Sequence, residues 1–202
     1  MSTVICSFYT LNTVYERVIY FRLIPSLLRQ EWPYYIQPMP SAGSWAENTK
    51  LKPQAILRIL DVLGPQPFAM LDADAEIVSP PILFDSIPRD CALAVHYLDW
   101  ATWYGHGTKK EILPGTLWVN GAHPRIREVI TEWASQCHAS VNDQPALDRA
   151  ICETGVKVFE LPVEYAWIAT LPDGGTPTYK SSTSPVIIHH QASRTCKHDI
   201  RA

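Results

Sequence analysis

The sequence predicts an α/β fold, a sheet flanked by helices. Two observations carry that expectation. Strand-like and helix-like patterns alternate through the first half of the chain, which points to a sheet with a parallel core. An apolar run from Pro67 to Leu71 then discharges into Asp72 and Asp74, a pair of carboxylates one residue apart.

Taken in order, Thr3 to Tyr9 is rich in β-branched and aromatic residues and reads as a strand ending in the polar loop Thr10-Leu11-Asn12-Thr13. Val14 to Leu28 keeps a helical period with Arg17, Arg22 and Arg29 off the stripe. Tyr34-Tyr35-Ile36 is a short strand closed by Pro38 and Pro40, and Ser41 to Lys50 reads as an irregular polar loop. Lys52-Pro53 opens a helix striped by Ile56, Leu57, Leu60 and Leu63 and stopped by Gly64-Pro65. The strand that delivers Asp72 follows, then a buried strand over Cys91 to Tyr97.

Asp99 to Pro114 holds Trp100, Trp103, Tyr104 and His106 and carries no clear period. Leu117 to Asn120 reads as a strand, and Pro124 to Cys137 as an amphipathic helix. Asn142-Asp143-Gln144-Pro145 is a helix start, with Asn142 or Asp143 as cap, leading into Ala146 to Cys152. Lys157 to Glu160 and Val186 to His189 are short strands, and between them Leu171 to Pro185 is a loop rich in Gly, Pro, Ser and Thr.

With 202 residues the chain is long enough for one well-packed domain, expected to span 1–202. Lys and Arg number 17 against 20 Asp and Glu, so no global basic field marks a nucleic-acid partner, although Arg194, Lys197 and Arg201 cluster near the C-terminus. Five cysteines at 6, 91, 137, 152 and 196 have neither close pairing nor metal-type spacing, and read as reduced thiols of a cytoplasmic protein. The N-terminus lacks the pattern of a signal peptide. Val18 to Leu28, broken by Arg22 and Pro25, is too short to span a bilayer.

Asp72 and Asp74 are the centre of the functional reading. On a strand, residues two apart share a face, where two carboxylates repel unless a cation lies between them. Hard oxygen ligands suit Mg²⁺ or Mn²⁺, ions held by one or two carboxylates together with substrate phosphates. The bland alternative is a polar turn in which both carboxylates accept from backbone amides. Another uses Asp72 as the nucleophile of a metal-dependent phosphohydrolase. Haloacid-dehalogenase-like phosphatases share an Asp-x-Asp after an apolar strand, but their motif opens the fold, and Glu76 stands where they carry Thr or Val.

The order of the pieces resembles the GT-A class of nucleotide-sugar glycosyltransferases. The resemblance rests on the first strand and its loop at Tyr9-Thr10, the helix Lys52-Pro53-Gln54-Ala55-Ile56-Leu57, and Leu71-Asp72-Ala73-Asp74. It continues through Pro114-Gly115-Thr116-Leu117-Trp118-Val119-Asn120, Asp143-Gln144-x-x-Leu147-Asp148, Leu161-Pro162-x-Glu164-Tyr165 and Ile188-His189-His190. It covers residues 3 to about 194, in a chain with little room for a separate acceptor domain.

The resemblance implies a Rossmann-like mixed sheet and a Mn²⁺ or Mg²⁺ ion held by Asp72, Asp74 and His189. It places Tyr9 and Thr10 at the nucleotide, Lys52 and Gln144 at the donor, Arg194 on the diphosphate, and Asp143 where a carboxylate takes the acceptor's proton. Asp143 also reads simply as a helix cap, and Trp100, Trp103 and Trp118 as core or as stacking platforms. The implied activity moves a sugar from a nucleoside-diphosphate sugar, a uridine one expected, to a hydroxyl acceptor. A glycan or small molecule is the default acceptor and a hydroxymethylated DNA base the alternative. A non-catalytic nucleotide-sugar-binding protein is the third reading.

Overall fold

The computed structural model describes residues 3–101, 107–140, 143–171, 174–175 and 184–196. Trp103, Tyr104, His106, Asn142, Lys197, Arg201 and most of the Leu171 to Pro185 loop lie outside them. Strand β1 (Val4–Thr10) leads into helices α1 (Val14–Phe21) and α2 (Leu23–Arg29), then β2 (Tyr34–Met39), a short helix α3 (Trp45–Thr49) and α4 (Lys52–Leu63). Next come β3 (Phe68–Leu71), β4 (Ala75–Ile77), β5 (Leu93–Asp99) and β6 (Lys110–Val119). Helices α5 (Ile126–Cys137) and α6 (Asp143–Thr154), strands β7 (Val158–Glu160), β8 (Trp167–Ile168) and β9 (Ile187–His189), and helix α7 (Ala192–Cys196) complete the order.

Six strands form one sheet in the order β2-β1-β3-β6-β5-β7, while β4, β9 and β8 form a second, three-stranded sheet. The expected parallel core holds for β2, β1 and β3 and again for β5 with β7, but β6 runs antiparallel to both β3 and β5. The large sheet is therefore mixed. The β3 run is apolar throughout because both of its faces are covered. Phe68 and Met70 join Ile56, Ile59, Leu60, Val129, Ile130 and Trp133 on the α4–α5 side, whereas Ala69 and Leu71 join Ile19, Leu23, Leu27 and Tyr165 on the other. The same alternation divides Leu117 and Val119 from Trp118.

Several boundaries differ from the sequence reading. The single helix expected over Val14 to Leu28 breaks at Arg22, whose ψ of −76° ends α1, and α2 restarts with Pro25 in its first turn, where a missing N–H costs nothing. The loop expected over Ser41 to Lys50 contains α3, capped by Ser44, whose side chain accepts from the Glu47 amide at 3.2 Å. The strand expected over Leu117 to Asn120 begins seven residues earlier, at Lys110. Helix α6 begins at Asp143 itself, and α5 begins at Ile126 rather than Pro124. Among the described cysteines Cys6, Cys91, Cys137 and Cys152 are free thiols, the first three buried. No described helix is long and apolar enough to cross a membrane.

Strand β6 is irregular where the chemistry gathers. Leu117 pairs with Val95, but the next partner of β5, His96, pairs with Leu113, so Pro114 to Thr116 bulge out of the ladder. His96 holds the far side of this irregularity through a 2.8 Å contact from Nδ1 to the Leu161 carbonyl. Burial lowers the His96 pKa below its ordinary value, so its neutral form is favoured in the folded state. A histidine with a lowered folded pKa makes the unfolded chain the better proton acceptor. Stability is thus expected to fall as pH drops below about 6.5, the ordinary histidine value. In urea titrations at pH 7.5 and 5.5, His96→Gln should flatten that part of the decline.

Candidate functional site

At the end of β3 the chain turns: the Ala75 amide donates to the Asp72 carbonyl at 3.0 Å, and the Asp72 amide donates to Gly115 O at 2.9 Å across to β6. Asp72 and Asp74 consequently sit in a turn between β3 and β4 rather than on a strand. They share a site because the turn folds them together, not because of strand parity. The turn alternative is thus realised in the backbone, while the carboxylates face a third residue delivered from far along the chain.

That residue is His189, brought alongside by the antiparallel pairing of β9 with β4, in which it partners Ala75. One ligand atom from each of Asp72, Asp74 and His189 lies within 4.8 Å of the others. His189 is buried and its Nε2 lies 2.9 Å from Thr116 Oγ1, a contact that orients the ring and leaves Nδ1 toward Asp74 Oδ1 at 3.8 Å. Asp74 Oδ2 accepts the Ala192 amide at 2.7 Å. Burial alone would raise the Asp74 carboxyl, but His189 and the Ala192 amide outweigh it and hold the pKa below the ordinary range.

Two carboxylates and one imidazole in this arrangement fit a divalent ion, and the imidazole suits Mn²⁺. The backbone fits it too. A Cβ on Gly115 would lie 3.1 Å from His189 Nδ1 and 3.2 Å from Asp72 Oδ2, so the absent side chain leaves the space between two of the ligands open. Gly115→Ala is expected to weaken Mn²⁺ binding about tenfold, measured by calorimetric titration. Affinity equal to wild type would show that this space is not used.

Lys52 joins this cluster to Asp143. Its Nζ lies 2.7 Å from Asp72 Oδ1 and 3.1 Å from Asp143 Oδ2, and donates to Pro114 O at 3.2 Å on the bulge. The Asp143 contact is an ion pair without the alignment of a hydrogen bond. Only 5% of Lys52 is exposed. Burial alone would lower its pKa, but Asp143 and Asp72 reverse the effect and raise it, so the ammonium is charged. For Asp143, burial is the larger influence and the repulsion of Asp72 adds to it, so its pKa is raised in spite of Lys52. Asp143 is the first residue of α6, and its side chain is a buried carboxylate facing a cation, while its backbone carbonyl accepts from Trp133 Nε1 at 2.8 Å.

A cleft of about 330 Å³ collects all of these residues at the edge of the sheet where β1 and β3 end. Tyr9, Thr10, Lys52, Asp72, Asp74, Asp143, Gln144, His189 and Arg194 all line it. Tyr9 packs edge-on against Tyr20, with ring centroids 6.0 Å apart, and Thr10 Oγ1 lies 2.9 Å from Thr13 Oγ1 at the cap of α1. Arg194 is carried in by α7. His190 turns to Glu76, at 2.9 Å, and does not line the cleft.

Residues that the sequence reading passed over line the cleft as well, among them Glu111, Leu113, Trp45 and Asn48. Trp45 and Asn48 belong to α3, which the capping pair Ser44 and Glu47 could have signalled. Glu111 falls in the 99–114 stretch that carries no clear period.

No protein-family model matches the chain, and no curated protein matches it by sequence. Solved structures do match. A glycosyltransferase involved in the glycosylation of the major capsid of PBCV-1 is similar over 100% of both chains, at 14% identity and a TM-score of 0.68. The WbbM bifunctional glycosyltransferase is similar over 94% of this chain and 46% of its own, at 11% identity and a TM-score of 0.54. Identities this low establish architecture rather than substrate, and with the mixed sheet the architecture is the GT-A fold.

Proposed function

We propose that this chain, as one domain spanning residues 1–202, is a metal-dependent glycosyltransferase. It moves a sugar from a nucleoside-diphosphate sugar, of the uridine type, to a hydroxyl acceptor such as a glycan or a small molecule. The observation that carries the proposal is the meeting of Asp72, Asp74 and His189 with the Lys52–Asp143 pair in one cleft of a GT-A fold.

Asp72, Asp74 and His189 would hold Mn²⁺ or Mg²⁺, which supplies positive charge to the leaving diphosphate. Tyr9 and Thr10, at the end of β1, bind the nucleoside, and Arg194 pairs with the diphosphate. Lys52 adds a second fixed positive charge beside Asp72. In the transfer, the bond from the anomeric carbon to the phosphate oxygen breaks and its electron pair leaves with the diphosphate. A bond from the acceptor oxygen to the same carbon forms, and the hydroxyl proton passes to Asp143. Its raised pKa makes this carboxylate a better proton acceptor than an ordinary aspartate.

The test is a thermal-shift screen of nucleoside-diphosphate sugars, each with Mn²⁺, Mg²⁺ or chelator, because a ligand that binds only the folded state raises Tm. A rise that requires metal and one nucleotide family supports the reading. Absence of any shift in folded protein would remove it. Phosphate release from simple phosphomonoesters with a trapped acyl phosphate on Asp72 would replace it by the hydrolase.

A further inference from the structure

Among the described charged residues that line the cleft, Glu111 has no part in the scheme above. Its geometry is nonetheless fixed. Trp100 Nε1 donates to Oε2 at 2.7 Å and Gln144 Nε2 donates to Oε1 at 2.6 Å. Each oxygen of an ionised carboxylate accepts about two hydrogen bonds, so a carboxylate gripped in this way still has acceptor capacity on both oxygens. Two adjacent acceptors of fixed orientation match a pair of neighbouring ring hydroxyls. Leu113, two residues along β6, also lines the cleft and offers an apolar surface beside the carboxylate.

The order of strands says which part of a ligand reaches Glu111. Across the sheet, β1 carries Tyr9 and Thr10, β3 leads to Asp72, and β6 comes next. Because β6 runs antiparallel to β3 with Leu71 opposite Thr116, its residues before Thr116 extend past the end of β3 on the cleft side. Glu111 lies four residues before Gly115, at most about 14 Å along the strand. A donor laid with its nucleoside on β1 and its diphosphate at Asp72 must direct its sugar toward β6. Resting on the donor reading above, we propose that Glu111 receives hydroxyls of the donor's sugar, held in place by Trp100 and Gln144, and so selects which sugar is transferred.

Calorimetric titration with Mn²⁺ tests this on wild type, Glu111→Gln and Trp100→Phe, using UDP, UDP-glucose, UDP-galactose, UDP-N-acetylglucosamine, GDP and GDP-mannose. Glu111→Gln is expected to leave the Kd of the bare nucleoside diphosphate within about twofold. It should weaken the preferred sugar nucleotide about 10–100-fold, the loss typical of a hydrogen bond to a charged group. Trp100→Phe keeps the carboxylate and is expected to retain most of the gain that the sugar brings. A gain from the sugar that survives Glu111→Gln overturns the inference, even where transfer to an acceptor is lost. So does a bare nucleotide weakened as much as its sugar form, which would make Glu111 a structural tie between β6 and α6. Wild type that binds no nucleotide at all removes the donor reading and this inference with it.

Discussion

Replacing Asp74 with asparagine is expected to abolish metal-dependent donor binding and to cut transfer by about a thousandfold. Asp74 performs two tasks with two oxygens. Oδ1 faces His189 in the candidate metal site, and Oδ2 accepts the Ala192 amide at 2.7 Å, anchoring the helix that carries Arg194. Asparagine keeps an oxygen for Ala192 and loses the charge, so the variant separates the tasks: fold retained, metal lost. Calorimetric Mn²⁺ titration and donor thermal shift measure the first effect, and sugar release from the donor measures the second. An asparagine variant with wild-type Mn²⁺ affinity would take Asp74 out of the metal site. Asp74→Ala, which also strips the acceptor from Ala192, is expected to lose further stability on top of the same functional defect.

Lys52→Met should be the most destabilising single change in the cleft, by about 3 kcal/mol, seen as a fall in Tm of roughly 6–12 °C for a domain of this size. The cost comes chiefly from Asp143, which is buried and would lose its cation, since Asp72 is partly exposed and water replaces much of what Lys52 gives it. Without Lys52 the Asp143 pKa should rise further above its unfolded value. Between the two values the folded state then binds the extra proton, so stability falls as pH rises through that window. The defect is therefore small near pH 4 and fully developed above the raised pKa. Adding Asp143→Asn removes the stranded charge and should return about 2 kcal/mol, a coupling that urea midpoints of the double-mutant cycle report directly. Additive losses would mean that the 3.1 Å approach stabilises nothing.

How much of this was legible in the sequence depends on the range of the signal. Asp72 and Asp74 announce themselves because an apolar strand ends on them, and Lys52 because Pro53 fixes a helix start beside it; both signals lie within a few residues of the group. The break at Arg22 is invisible to periodicity because the apolar stripe continues in phase across it, and only Pro25 in a first turn betrays the restart. The reversal of β6 escapes notice for a different reason. A strand buried on both faces has the same apolar pattern in either direction, and its direction is set by partners elsewhere in the chain. Glu111 was missed for the same kind of cause. In sequence it sits between Lys109-Lys110 and Ile112-Leu113, whereas its neighbours in space are Trp100 and Gln144.

The pairing of β9 with β4 also sets a timetable. A ribosome delivers residues in order, and 118 positions separate Asp74 from Ala192. At about 5–20 residues per second that is an interval of roughly 6–24 s. Throughout it, the two aspartates are already made while His189 and the amide that secures Asp74 have yet to be synthesised. A nascent or truncated chain can therefore build most of the large sheet before His189 joins Asp72 and Asp74. On the metal-dependent reading proposed above, the three candidate ligands stand together only once the last strand has docked against β4.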